Sequence, residues 1–329
     1  MLIFSDYYKQ DYVFFISNQK LSASEQIDIL YRKHGESFSK EDRWTIQEFL
    51  FLCESEQFLW DELSFKPNRF NFTTSGTFFK AHGEQGANAL RTHLGYRPNT
   101  IIKDLYYDLR NLGIHIFRRR LSNSDISGLF INHPTAGKCV LVNYNEDVFR
   151  QNFTIAHEIG HSVFDSDNEI NISFLNDGKD NNLIEIRANT FASNFLIPKE
   201  AIKNLNVSIW TEEIVTTLAL QFKTNILPLL ISLKEAKFIN QTQYTAYSKI
   251  RIPSNQKEDP ELALSDGKLK EAKRKLMERG LSSFYINKCF EGYTKGYISE
   301  RRFAEMLLTN EFELPLILEM FSLKLDYGN

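Results

Sequence analysis

Within Phe153–Asp165, FTIAHEIGHSVFD, the residues His157, Glu158 and His161 stand at the spacing H-E-x-x-H. Residues four apart on an α-helix share a face, so the imidazoles of His157 and His161 can reach one metal ion together. Glu158, one position beyond the first imidazole, is then left near a metal-activated water as its general base. Ile155, Ile159, Val163 and Phe164 form a separate apolar stripe at helical spacing, so the segment reads as an amphipathic helix with its histidines on another face. That helix starts at Thr154 or earlier, near Asp147. Gly160 sits in its middle at a cost of about 1 kcal/mol relative to alanine, a loss best understood if another element must approach there. The competing reading is a helix whose two histidines are solvated or satisfied within the core.

A catalytic zinc takes three protein ligands and keeps one position open. The third should come from a second helix packed across the first, and Leu183–Pro198, LIEIRANTFASNFLIP, has the pattern for one. Glu185, Ala188, Asn189 and Ala192 share a face, with one carboxylate among small side chains that would let two helices come close. Ile184, Phe191, Phe195 and Leu196 furnish the apolar bulk. The alternative for Glu185 is a surface carboxylate paired with Arg187 or solvent. Asp165 is a candidate for the group behind a histidine, because metal-bound imidazoles usually donate their other N–H to a carboxylate or carbonyl.

These segments together resemble the ImmA/IrrE family of zinc-dependent metallopeptidases. The likeness rests on FTIAHEIGHSVFD followed by E-x-x-A-N-x-F-A-x-x-x-L-x-P over Glu185–Pro198. It extends upstream through Gly86–Phe117 and downstream through Leu218–Leu233, so that it covers roughly residues 80–240. The resemblance implies that His157, His161 and Glu185 are metal ligands and Glu158 the catalytic base, with Asn189 behind the ligand shell. It implies Zn²⁺ as the cofactor, although Mn²⁺ or Fe²⁺ can occupy similar donor sets. The chain would be prokaryotic or phage-borne, and its substrate a helix-turn-helix repressor or an antitoxin. A narrower variant makes the peptidase the toxin of a toxin–antitoxin pair. Many relatives carry an N-terminal helix-turn-helix domain; no compact helix pair around a glycine turn precedes Tyr31, which weakens a repressor role for this chain itself.

The chain has 329 residues, 42% hydrophobic and 25% charged, with a net charge of −3, which describes a globular protein with ample core. The pI of about 6.2 gives no global attraction to nucleic acid or anionic membrane, so direct nucleic-acid binding is not expected. The 27 phenylalanines point to packing. Cys53, Cys139 and Cys289 are odd in number and widely spaced, so they fit reduced thiols rather than a disulfide framework. The N-terminus lacks the features of a signal peptide, and no apolar stretch reaches the length of a membrane span. A cytoplasmic protein is expected.

The expected fold is α+β and zincin-like, mostly helical, with a small antiparallel sheet leading into the HExxH helix. Residues 1–80 read as a helical region, with helices over Ser22–Arg32 and Ser39–Leu63. Residues 81–205 form the metallopeptidase core, 206–250 a helical extension and 251–329 a C-terminal helical region. Ile114–Arg120 alternates as a strand, and Ile126–Ile131 with Cys139–Asn143 forms a hairpin around residues 133–137. An edge strand of such a sheet can hold a substrate backbone extended. The run Arg118–Arg120 reads as a solvated strand end or, less favoured, a substrate-anion site. Lys66–Ser75 and Arg251–Pro260 read as linkers. Residues 212–233 have the outline of a helix-turn-helix, but the second helix offers Pro228, Leu229, Leu230, Ile231 and Leu233, which suit a core or a partner rather than base edges. A protein of a different class, binding metal without turnover and acting through a partner or DNA, is the competing functional reading.

Overall fold

The computed structural model describes residues 38–325 apart from 75, 124, 166–169, 175–182, 206 and 264. The expected helix at Ser22–Arg32 and the region before Tyr31 lie outside the described residues. The first described helix, α1, spans Lys40–Glu62. Ser39 accepts from the Asp42 N–H while the Asp42 carboxylate accepts from the Ser39 N–H, a capping box that sets its start. Next come α2 (Phe79–His93), α3 (Leu105–Arg110), β1 (His115–Arg119), β2 (Ile126–His133) and β3 (Gly137–Asn143). The HExxH helix α4 (Val148–Phe164) follows, then β4 (Ile170–Phe174) and α5 (Leu183–Leu196). Beyond it lie α6 (Lys199–Lys203), α7 (Glu212–Phe222), α8 (Ile226–Glu235) and α9 (Gln241–Tyr247). The C-terminal region adds α10 (Gly267–Met277), α11 (Ser283–Thr294), α12 (Glu300–Met306) and α13 (Leu314–Met320).

The fold is α+β, with one four-stranded sheet in the order β1-β3-β2-β4. β2 pairs antiparallel with both β3 and β4, as a hairpin requires, but β1 runs parallel to β3. The sheet is therefore mixed, not antiparallel throughout as expected. Alternation of side chains has the same period in both strand directions, so it carries no information about the direction of β1.

The sheet is buried on both faces. Ile116, Phe130, Val140 and Val142 join a core with α4, α5, α7 and α8. Phe117, Leu129, Ile131, Cys139 and Leu141 join a second core with α1 and the C-terminal helices. This alternation is the period of two expected of a strand, with both faces apolar because both are covered. His115 anchors α1 to β1: its Nδ1 donates to Glu56 Oε2 at 2.6 Å, and its ring stacks on Trp60 with centroids 4.0 Å apart.

The basic run at the end of β1 is not solvated. Arg118 and Arg119 are buried: Arg118 is held by Asp259 and Glu261, and Arg119 by Glu48 of α1. Arg120 remains exposed. Chain from two remote regions folds over this strand and brings the carboxylates with it. Residues 251–261 are thus pinned to the sheet at Asp259 and Glu261, with a short 3₁₀ turn at Ser254–Gln256.

On the other face, α2, α4 and α5 pack tightly at small residues. A Cβ placed on Gly83 of α2 would lie 2.5 Å from the carbonyl oxygen of Arg187 and 3.0 Å from the Phe191 nitrogen, both backbone atoms of α5. The Gly83→Ala variant should therefore lose about 1–3 kcal/mol of stability through overpacking. It should do so even though alanine favours a helix by about 1 kcal/mol. Urea unfolding monitored by circular dichroism checks this, and an unchanged or higher midpoint would contradict the close packing.

Candidate functional site

The centre is assembled by α4 and α5. Asp147 caps α4, its carboxylate accepting from the N–H groups of Phe149 and Arg150, so the helix begins two turns before the histidines rather than at Thr154. Gly160 lies where α5 crosses: a Cβ there would sit 3.2 Å from Ala188 Cα and 3.3 Å from the Phe191 ring. The small residues at 160 and 188 let the two backbones approach until Glu185 reaches the histidines.

The donors of His157, His161 and Glu185 all lie within 4.8 Å of one another. The two Nε2 atoms are 3.0 Å apart. Glu185 Oε2 stands 3.2 Å from His157 Nε2, and Glu185 Oε1 3.3 Å from His161 Nε2. Ligand atoms at about 2.0–2.1 Å from a tetrahedral zinc are about 3.3 Å from each other, so this donor set fits such an ion. The histidines are buried, whereas the Glu185 side chain is 28% exposed, so the centre opens on its side.

Both rings are held from behind. His157 Nδ1 lies 3.0 Å from Asn189 Oδ1, and His161 Nδ1 3.0 Å from Asp165 Oδ2. A carboxylate or amide oxygen only accepts, so each ring carries a proton on Nδ1 and directs Nε2 at the centre. Asp165 also receives Arg187, whose guanidinium lies over the rings of Phe79 and Phe164. Arg187 pairs with Asp165 and not with Glu185, since residues two apart on a helix do not face each other.

Without a metal the centre favours protons. Burial opposes charge on His161, but hydrogen bonds to Asp165 and Glu185 and the charge of Glu158 outweigh it and push its pKa up to about 10. Burial would raise the Glu185 carboxyl, but its hydrogen bonds from His157 and His161 hold it well below the usual carboxylate range.

Glu158 is fully buried at the edge of this centre, against β2. A Cβ on Gly128 would stand 2.8 Å from Glu158 Oε1 and 2.6 Å from Thr154 Cγ2. Only glycine leaves room for that carboxylate. The sequence reading missed Gly128, although an isolated glycine within a strand pattern signals close approach of another group. It also missed Arg150, seven residues before His157 and so on the same helix face, paired with Glu146 at 3.5 Å.

Two expectations follow. Asp165→Ala should weaken zinc binding by about 10–100-fold, the usual effect of removing a group behind a ligand; chelator competition would measure it, and unchanged affinity would contradict the assignment. Because His161 holds its second proton up to about pH 10, metal binding must displace it. Zinc affinity of the metal-free protein should rise about tenfold per pH unit from pH 6 to 8. Calorimetry in buffers of different ionisation enthalpy should detect the released proton.

Residues 109–225 match the family model of the IrrE N-terminal-like domain, peptidase family M78. No curated protein gives a significant match. The matched span holds β1 to β4, α4, α5, which carries Glu185, α6 and α7. Over that span, about a third of the chain, the match supports the resemblance to the ImmA/IrrE family.

Proposed function

We propose that the protein is a zinc-dependent endopeptidase acting on a specific protein substrate. The observation that carries this reading is the convergence of His157, His161 and Glu185 beside a carboxylate, Glu158, that the fold buries against Gly128. His157 and His161 supply two nitrogens and Glu185 an oxygen, a donor set suited to zinc. When bound, zinc supplies Lewis-acid polarisation of a carbonyl and of a water molecule. Glu158 takes the proton of the attacking water and delivers it to the departing amine nitrogen as the peptide bond breaks. Asn189 and Asp165 keep the rings oriented through both steps. Among the described residues no single helix is long and apolar enough to cross a membrane.

The family likeness supports a regulatory protein, a helix-turn-helix repressor or an antitoxin, as the substrate. In the ImmA/IrrE resemblance such cleavage relieves repression or releases one member of a toxin–antitoxin pair.

The deciding experiment pairs metal content with cleavage. Wild type should hold one equivalent of zinc and cleave a repressor encoded nearby. His157→Ala and Glu185→Ala should lose both properties. Glu158→Gln and Gly128→Ala should retain zinc but lose turnover by about 10²-fold or more, because each removes or displaces the base without touching a ligand. Full biological activity in Glu158→Gln would overturn the enzymatic reading and favour a non-catalytic metal-binding regulator.

A further inference from the structure

A cavity of about 640 Å³ opens beside the metal centre, between α4, α5, α8 and residues 250–257. It adjoins the centre at His157, since Asn189, whose Oδ1 holds that ring from behind, also lines the cavity. Its volume lies within the range of about 300–1,000 Å³ typical of ligand sites, so more than one side chain fits.

The wall opposite the ligands is apolar. Leu227 and Ile231, one turn apart on α8, line the cavity and are 48% and 45% exposed. α7 and α8 cross at 106°, the arrangement of a helix-turn-helix, in which the second helix reads its target. Here the buried side of α8, with Ile226, Leu229, Leu230 and Leu233, belongs to the core. Its outward side offers hydrocarbon to the cavity, which cannot read base edges but can desolvate an apolar side chain.

The rim carries a surplus positive charge. Both carboxylates lining the cavity are neutralised, Glu235 by Lys80 at 2.6 Å and Asp147 by Lys257 at 3.2 Å. Arg150 pairs with Glu146. Arg251 instead donates to the backbone carbonyls of Ser248 and Ile250, so no opposing side-chain charge offsets it there.

We propose that this cavity is the specificity pocket of the enzyme. It takes a bulky aliphatic or aromatic side chain beside the scissile bond of an extended protein segment, and Arg251 meets a carboxylate farther along that segment. The word substrate rests on the peptidase reading; the binding itself does not require turnover.

The test uses short fluorescein-labelled peptides with a central leucine and a flanking aspartate, and matched peptides in which either residue is asparagine. Their binding to the full-length, zinc-loaded Glu158→Gln protein is read by fluorescence anisotropy, with and without Ile231→Asp. Cleavage by wild type is followed in parallel. Zinc content and thermal melting of the Ile231→Asp form establish that it is folded. The leucine peptide should bind at least about tenfold tighter than its asparagine counterpart, and Ile231→Asp should abolish that preference. Replacing the aspartate, or introducing Arg251→Ala, should weaken binding and its dependence on salt. This binding pattern together with cleavage supports both pocket and peptidase. The same pattern without cleavage supports the pocket while the peptidase reading fails. Equal binding of leucine and asparagine peptides, or a preference that survives Ile231→Asp, overturns the pocket whether or not cleavage occurs.

Discussion

The close approach of α4 and α5 is the constraint on which the centre depends. Three donors must meet within 4.8 Å although two come from one helix and the third from another. A glutamate side chain is short, so the backbones have to come nearer than ordinary large side chains allow. Gly160 opposite Ala188 provides that clearance, and Gly83 of α2 presses on the far side of α5. Overpacking at such contacts forces backbone shifts, and any shift at α5 is transmitted to Glu185. The helix propensity lost at glycine is the smaller effect.

Electrostatics then fixes orientation. Each imidazole is gripped at Nδ1 by an oxygen that can only accept, so its other nitrogen has one direction to face. The chain His161–Asp165–Arg187 carries this outward to two aromatic rings, Phe79 and Phe164, that shelter the guanidinium. A buried charge without such partners would cost several kcal/mol. The same logic runs at the end of β1, where Arg118 and Arg119, pointing to opposite faces of the sheet, tie the strand to residues 259–261 and to α1 respectively. The sheet is held between these two sets of contacts, and β2 presents Gly128 to Glu158 from within it.

Composition shaped how the two cores are shared. Phe117, Phe130, Phe191 and Phe195 are among the largest fully buried side chains, and they divide between the faces of the sheet. The apolar side of α8 belongs to one core, while Leu227 and Ile231 are left to line the cavity beside the ligands. One helix thereby packs into the core on one side and lines the cavity with exposed apolar side chains on the other.

The helices carrying the candidate site were legible in the sequence because periodicity, caps and ligand spacing are properties of residues only a few positions apart. His157, Glu158 and His161 owe their shared face to the pitch of α4, and Glu185, Ala188 and Asn189 to that of α5. Asp165 stands one turn beyond His161, which it supports, and so was legible from spacing, whereas Asn189, which supports His157 from the other helix, was legible only through the motif it shares with Glu185. The direction of β1, the partners of Arg118 and Arg119, the fit of Glu158 against Gly128 and the cavity under α8 were not. Each is a contact between segments far apart in the chain, and local spacing carries no record of which distant surface will be brought against it. The sequence by itself determined which groups could bind a metal and move a proton; only the tertiary structure decided what surrounds them, because burial and pairing arise when the sheet, α1 and the C-terminal segment close on one another.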